Sequence, residues 1–159
     1  VREILEYGVW APSGTNSQPW RFTVLMGENK TEFIEIMKRN IEAKKDDFTE
    51  KQLNIFKWSA LSLEKGSAVL LVWDNNKTQT SPQSIGACIQ TMMLKAYGMG
   101  LGSLWVAAVR VAKEELKQRY GKMDMNLIAA VGIGNPSEKM IGKKGPPRLP
   151  VDEVAEFLI

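Results

Sequence analysis

Residues 11–20 read APSGTNSQPW. Ser13, Thr15, Asn16 and Ser17 carry donors and acceptors at short reach. Gly14 lets the backbone come close to a neighbour, and Gln18 adds an amide that both donates and accepts. A loop of this make-up suits a flat ligand whose edge alternates acceptors and donors. The same residue types also build a plain turn through local Asx and Ser hydrogen bonds, and composition leaves both readings open. The chain has no histidine and a single cysteine, Cys88. That removes His-based triads, His general bases and His-ligated zinc, along with any intrachain disulfide. Cys88 reads as a small buried hydrophobe. Chemistry in such a chain is expected to come from a cofactor, and no metal site is expected.

The net charge is +3, from 21 Lys and Arg against 18 Asp and Glu. Most of the cations sit on helical stretches that also carry acids, as in EIMKRNIEAKKDDFTEK. That pattern is a solvated helix face, and with no helix-turn-helix or RNP-like aromatic pattern, nucleic acid is not expected as a partner. The basic stretch with few acids is KMIGKKGPPR, Lys139 to Arg148. GMGLGS (Gly98–Ser103) ends a helical run and precedes a strand-like one, the reverse of a dinucleotide-binding turn, so it reads as a helix end and tight turn. GIGNPS follows a strand-like run but opens no convincing helix, and a Walker loop is absent. The longest apolar runs, such as Ala68–Trp73 and Leu127–Val131, fall far short of the about 20 residues that span a bilayer. No membrane association is expected. The N-terminus lacks a signal-peptide pattern, and a cytoplasmic protein is the expectation.

The elements that must position the loop follow from periodicity. Val1–Trp10 reads as a helix ended by Pro12, and Phe22–Met26 as a strand, with a turn at Gly27–Asn29. Thr31–Ile41 repeats apolar residues at helical spacing, and Thr49 with Gln52 marks a capping box for a second helix through about Glu64. Ala68–Trp73 reads as a strand buried on both faces. Ser81-Pro82 starts a long helix to about Met99. A strand at Leu104–Val109, a helix at Lys113–Tyr120, a strand at Leu127–Ile133 and a short closing helix at Val151–Phe157 complete the order. That order predicts a sheet with helices on both faces, and 159 residues predict a single domain over 1–159.

Residues APSGTNSQPWRF resemble the N-terminal signature of the nitroreductase family, the FMN-dependent NAD(P)H oxidoreductases. SIGACIQTMMLKAYGMGLGSLWV (Ser84–Val106) resembles that family's central helix and following strand. NLIAAVGIGNP (Asn126–Pro136) resembles the strand before its last loop, and Lys143, Lys144 and Arg148 followed by LPVDEV resemble its basic C-terminal motif. The segments come in the family's order across nearly the whole chain. The resemblance implies an α+β fold, a three-layer α/β/α arrangement with a nitroreductase-like mixed sheet flanked by helices. It implies a homodimer with FMN at the interface. On this chain it implies that Pro12, Ser13, Gly14, Thr15, Asn16 and Gln18 contact flavin, often from the neighbouring subunit. Val106, Ala107 and Ala108 would lie against the isoalloxazine ring, and Lys144 and Arg148 would pair with the FMN phosphate, a task for which a planar guanidinium fork is suited.

The family's Arg-rich opening segment is absent from the sequence, which starts at Val1 inside the following helix; the expectation is that it lies upstream in a longer protein. The implied activity is electron transfer from NAD(P)H through flavin N5 to a nitroaromatic, quinone or similar electron-poor small molecule in ping-pong fashion. No side-chain acid or base is needed, which suits a chain without histidine. The alternative is a flavin- or ligand-binding protein of the same fold with little turnover. The stretch from Asn40 to Trp58, with Phe48, Phe56 and Trp58, is expected to roof the cleft. The helix Gln83–Met99, with Gly86, Ala87, Cys88, Met92 and Met93, is expected either to meet its symmetry mate or to be an ordinary central helix.

Overall fold

The computed structural model describes residues 1–75, 78–143 and 145–158. Its elements are α1 (Arg2–Gly8), β1 (Trp20–Leu25), α2 (Gly27–Ala43), α3 (Glu50–Lys65), β2 (Ala68–Asp74), α4 (Ser81–Gly98), β3 (Gly102–Val106), α5 (Lys113–Arg119), β4 (Asn126–Gly134) and α6 (Val151–Val154). Short 3-10 turns occupy Gly14–Asn16 and Ala107–Ala112.

Local chemistry accounts for the ends of these elements. Thr49 Oγ1 accepts from the Gln52 amide (3.3 Å) while Gln52 Oε1 accepts from the Thr49 amide (2.9 Å), so α3 starts in the capping box that the sequence predicts. At its other end, Lys30 Nζ donates to the carbonyls of Glu64 (2.8 Å) and Gly66, covering acceptors that the last helical turn leaves open. Pro82 sits in the first turn of α4. Several boundaries differ from the sequence reading, among them the closing helix, which spans Val151–Val154 where Val151–Phe157 is expected. The residues expected to turn at Gly27–Asn29 open α2, and the strand expected to reach Val109 stops at Val106 and tightens into a 3-10 segment.

Among the described residues the sheet has the order β1-β2-β4-β3, and each neighbouring pair is antiparallel. The helix-flanked sheet is as expected, but its pairing is antiparallel throughout where the sequence reading has a mixed sheet. The connections explain this. Two helices, α2 and α3, carry the chain from β1 to β2 and return it reversed. The single helix α4 carries it from β2 to β3, which run the same way, and β4 then enters between them running opposite to both. β2 is buried over all seven residues, as a strand covered on both faces must be.

Side chains alternate between two cores. Val69, Leu71 and Trp73 face one cluster, with Phe33, Ile34, Met37 and Ile41 of α2 and Leu63 of α3. Leu70 and Val72 face the other, with Ile85, Ile89 and Met92 of α4 and Ile4 of α1. This is the three-layer arrangement. The pairing shifts by one where Val72 faces Ala129 and Trp73 faces Leu127. Ile128 is the extra residue of that bulge, and Ile128 and Ala129 both pack on the α4 side. On the surface, Lys38 pairs with Glu64 (2.8 Å), Arg119 with Glu32 (2.7 Å), Lys95 with Glu3 (2.6 Å), and Arg39 with Glu115. The helix cations thus stand among acids, as the charge pattern predicts.

Candidate functional site

Pairing places Trp20 beside Asp74, and Asp74 beside Asn126. The loop before β1, the end of β2 and the start of β4 therefore share one end of the sheet. β3 runs toward that end, pairing Val106 with Ala130, and the 3-10 segment 107–112 continues past it. Within this frame the loop is at the β1 edge and Val106–Ala108 at the β3 edge. Three inter-strand spacings of about 4.8 Å separate the edges, roughly 14 Å.

The loop backbone is unusual. Thr15, Asn16 and Gln18 all have positive φ, at 51°, 55° and 45°. For residues other than glycine this region costs on the order of 1–3 kcal/mol each, and it persists only where surroundings enforce it. The enforcing contacts are visible. Asn16 N donates to Ser13 O (2.9 Å), Ser17 N to Gly14 O (3.0 Å) and Gln18 N to Ser13 Oγ (3.1 Å). Gln18 Nε2 donates to Asn16 Oδ1 (3.1 Å). Gly14 N reaches Ser84 Oγ on α4 (3.4 Å), and that hydroxyl donates to Thr80 O (3.0 Å). Pro12, Thr15, Asn16 and Gln18 are exposed, and Ser13 and Gly14 half-buried. Beneath them, Ser17 Oγ and Asn75 Oδ1 are buried without a hydrogen-bond partner among the described residues.

α4 connects the two halves. Ser84 touches the loop, and two residues on, a Cβ at Gly86 would lie 3.8 Å from the Trp105 ring tip. The helix thus reaches from the loop to β3 across the face of the sheet. Val106 is buried, Ala107 exposed and Ala108 half-buried, so the chain offers small side chains and open backbone here.

The basic residues lie elsewhere. β4 ends at Gly134, opposite Gly102 and away from the loop. Pro136 packs on Gly102, and Ser137 and Met140 share a groove with Lys65 and Gly66 at that far end. Arg148 is exposed and turns its Nη1 back onto Pro146 O (2.9 Å) and Pro147 O (3.3 Å). Lys144 lies outside the described residues. The eight steps between the nine residues of β4, at about 3.3 Å each, put roughly 26 Å between the sheet ends.

Phe48 and Phe56 meet edge to face, 4.6 Å between centroids, and pack against the α2–α3 core, while Trp58 is exposed on α3. Of the α4 residues expected at a symmetry mate, Cys88 and Met92 are buried in this chain's own core, whereas Gly86, Ala87 and Met93 are half-buried. Exposed apolar residues of α1, α4 and their ends include Trp10, Leu94 and Tyr97, with Tyr7 half-exposed beneath the Lys95 ammonium, 4.1 Å from the ring centroid.

Burial pushes the Cys88 thiol up to about 12. Cys88 is thus expected to be inert toward a thiol reagent such as DTNB at pH 8 in the native protein and to react fully once the chain is unfolded in guanidinium. Rapid labelling of the native chain would show that α4 opens.

Similarity to known proteins agrees with this architecture. The chain superimposes on a BluB-like flavoprotein from Clostridium difficile 630 with a TM-score of 0.79 and 23% identity, over 99% of this chain and 88% of that one. It superimposes on the FMN-dependent nitroreductase NfnB from Mycobacterium smegmatis in complex with NADPH with a TM-score of 0.80 and 17% identity, over 99% and 87%. The fold is the one those two flavoproteins share. The profile of the Nitroreductase family matches residues 1–135, and the chain belongs to that family. A Bacillus subtilis (strain 168) relative named "Putative NAD(P)H nitroreductase YfhC" is 26% identical over 152 residues, 92% of this chain and 78% of the relative.

Arg21, Thr80 and Ser84 are absent from the residues that the sequence singles out for binding. Ser84 meets Gly14 across 70 positions, which no local motif encodes, and Thr80 stands against Gly14 from the start of α4, whereas Arg21 acts locally through its guanidinium on Gln18 O and Trp20 O.

Proposed function

We propose that this chain is an FMN-dependent oxidoreductase that takes electrons from NAD(P)H. The observation that carries the reading is the loop of residues 13–18, where three non-glycine residues are held at positive φ and two buried polar atoms, Ser17 Oγ and Asn75 Oδ1, have no hydrogen-bond partner among the described residues. Strain of this kind collects at ligand clamps. The residues fit a flavin. Ser13, Thr15, Asn16 and Gln18 present polar groups suited to a flavin edge, and Ala107 and Ala108 leave room for a ring to approach the backbone. Arg148, with Lys144, is the family's candidate for the phosphate. Bound there, FMN would supply the redox chemistry, a hydride exchange at N5 that links NAD(P)H to an electron-poor small molecule such as a nitroaromatic or quinone in ping-pong order. The chain's own part is to bind, orient and exclude water.

The placement of these groups favours a composite site in a homodimer. Loop and ring segment stand at opposite edges of one sheet, and the segment that carries the basic residues leaves β4 from the sheet's far end. The exposed Leu94 and Tyr97 on α4, with Trp10 just past the end of α1, offer an apolar face for a second copy.

The test is an FMN titration followed by fluorescence quenching, with the mass of the same sample measured by sedimentation. One FMN per chain and a mass near twice 17.8 kDa are expected. Saturation without NAD(P)H oxidation would leave a flavin-binding protein. No quenching at all would end the flavin reading.

A further inference from the structure

Among the described residues, three ties hold the loop to the rest of the fold. Gly14 N meets Ser84 Oγ, and Asn75 N donates to Pro19 O (3.0 Å). The third is Arg21, whose Nη1 donates to Gln18 O (3.1 Å) and to Trp20 O (2.7 Å), the carbonyls on either side of Pro19. Of the three, the last alone acts on a residue at positive φ, since Gln18 stands at 45°. Pro19 has no N–H with which to close that turn itself. The Arg21 side chain is exposed, yet its hydrogen bonds among the described residues run to these backbone carbonyls. A charged donor bridging two neutral carbonyls is a strong tie for a surface position.

We propose that Arg21 is a positioning residue for the cofactor. It holds Gln18 in the left-handed region and so fixes the joined amides of Gln18 and Asn16 that present the loop's polar edge. Without the guanidinium, Gln18 relaxes toward negative φ, its carbonyl turns out to water, and the Gln18–Asn16 hydrogen bond is lost. This role rests on the flavin reading, but the clamp itself can be tested without flavin.

The variants are Arg21→Ala and Arg21→Lys. Each is measured by FMN fluorescence quenching, by the melting temperature of the FMN-free chain, and by amide hydrogen exchange of that chain. Loss of a hydrogen bond from a charged donor is expected to raise the FMN Kd roughly tenfold in Arg21→Ala. The rise is expected to be smaller in Arg21→Lys, which keeps a donor but loses the planar fork. Melting is expected to stay unchanged, because the side chain is exposed. The amides of Asn16, Ser17 and Gln18 are expected to exchange faster in Arg21→Ala. Unaltered FMN affinity overturns the proposal, as does unaltered exchange at those three amides. A weaker affinity that merely tracks a lowered melting temperature overturns it too. If the unaltered chain takes no FMN, the flavin reading falls by itself, and the exchange data decide the clamp alone: faster exchange in Arg21→Ala sustains it and equal exchange removes it.

Discussion

A Gly14→Ala chain is expected to bind FMN roughly tenfold to a hundredfold more weakly than the unaltered protein, because a displaced loop loses polar contacts to the ligand worth about 1–3 kcal/mol. A Cβ on Gly14 would fall well inside contact distance of Thr80 Oγ1 and 3.3 Å from Thr80 Cβ. Thr80 is the residue from which α4 starts, and its hydroxyl is tied to Thr78 Oγ1 at 3.1 Å. It cannot swing aside without breaking that contact, so the loop must lift off α4. Gly14 does not have positive φ, which makes space, and not backbone strain, the whole of the obstacle. The double variant Gly14→Ala/Thr80→Gly is therefore expected to recover most of the affinity, since glycine is tolerated where a helix begins. The check is the FMN titration on all three proteins. Full affinity in Gly14→Ala would show that the loop's seat on α4 is irrelevant to binding. A double variant as weak as the single one would place the fault elsewhere than at Thr80.

The largest effect on stability is expected at Trp73. It is fully buried in the middle of the sheet, and its Nε1 donates to Thr23 Oγ1 on β1 (3.0 Å). Trp73→Ala is expected to cost about 3–5 kcal/mol, which for a chain of this size lowers the melting temperature by roughly 6–20 °C. Trp73→Phe keeps most of the ring volume and loses the hydrogen bond, leaving Thr23 to find water at the half-buried edge. It is expected to cost about 1–2 kcal/mol. Urea unfolding of the three proteins measures both. Equal midpoints for Trp73→Ala and the parent would mean that the two cores repack around the gap.

Much of the fold is legible in the sequence because its signals are local. The apolar run Ala68–Trp73, the helical spacing of Phe33, Ile34, Met37 and Ile41, and the Thr49–Gln52 cap each act within a few residues. The order of strands is a different matter. That β4 separates β2 from β3 depends on contacts between residues some 30 and 60 positions apart, and no window of sequence contains them. The end of β3 was hidden for a related reason. Val109 and Val111 are as β-branched as a strand needs, but the core beneath them is reached only by a tighter turn. In the site, the polar make-up of residues 13–18 is plain, whereas the left-handed backbone at Thr15, Asn16 and Gln18 comes from Arg21, Ser84 and the loop's own hydrogen bonds. Family resemblance marks Lys144 and Arg148; the sheet's direction shows that the basic segment leaves from the other end.

The insertion of β4 between β2 and β3 has a consequence for synthesis. β3 pairs only with β4 in the described sheet, so when Val106 has been added to the growing chain, β3 has no partner. It gains one when Asn126–Gly134 follows, and at about 5–20 residues per second that interval is some one to six seconds, plus the time for the ribosomal tunnel to clear. Through that interval the inner edges of both β2 and β3 stand open, and a strand with open backbone groups is a template for the wrong neighbour. Pairings of this sequence separation also form slowly once their partners exist. A ribosome stalled where β3 has left the tunnel and β4 has not would therefore hold a chain with open strand edges, and a holdase chaperone should crosslink to it there and release it once β4 has emerged.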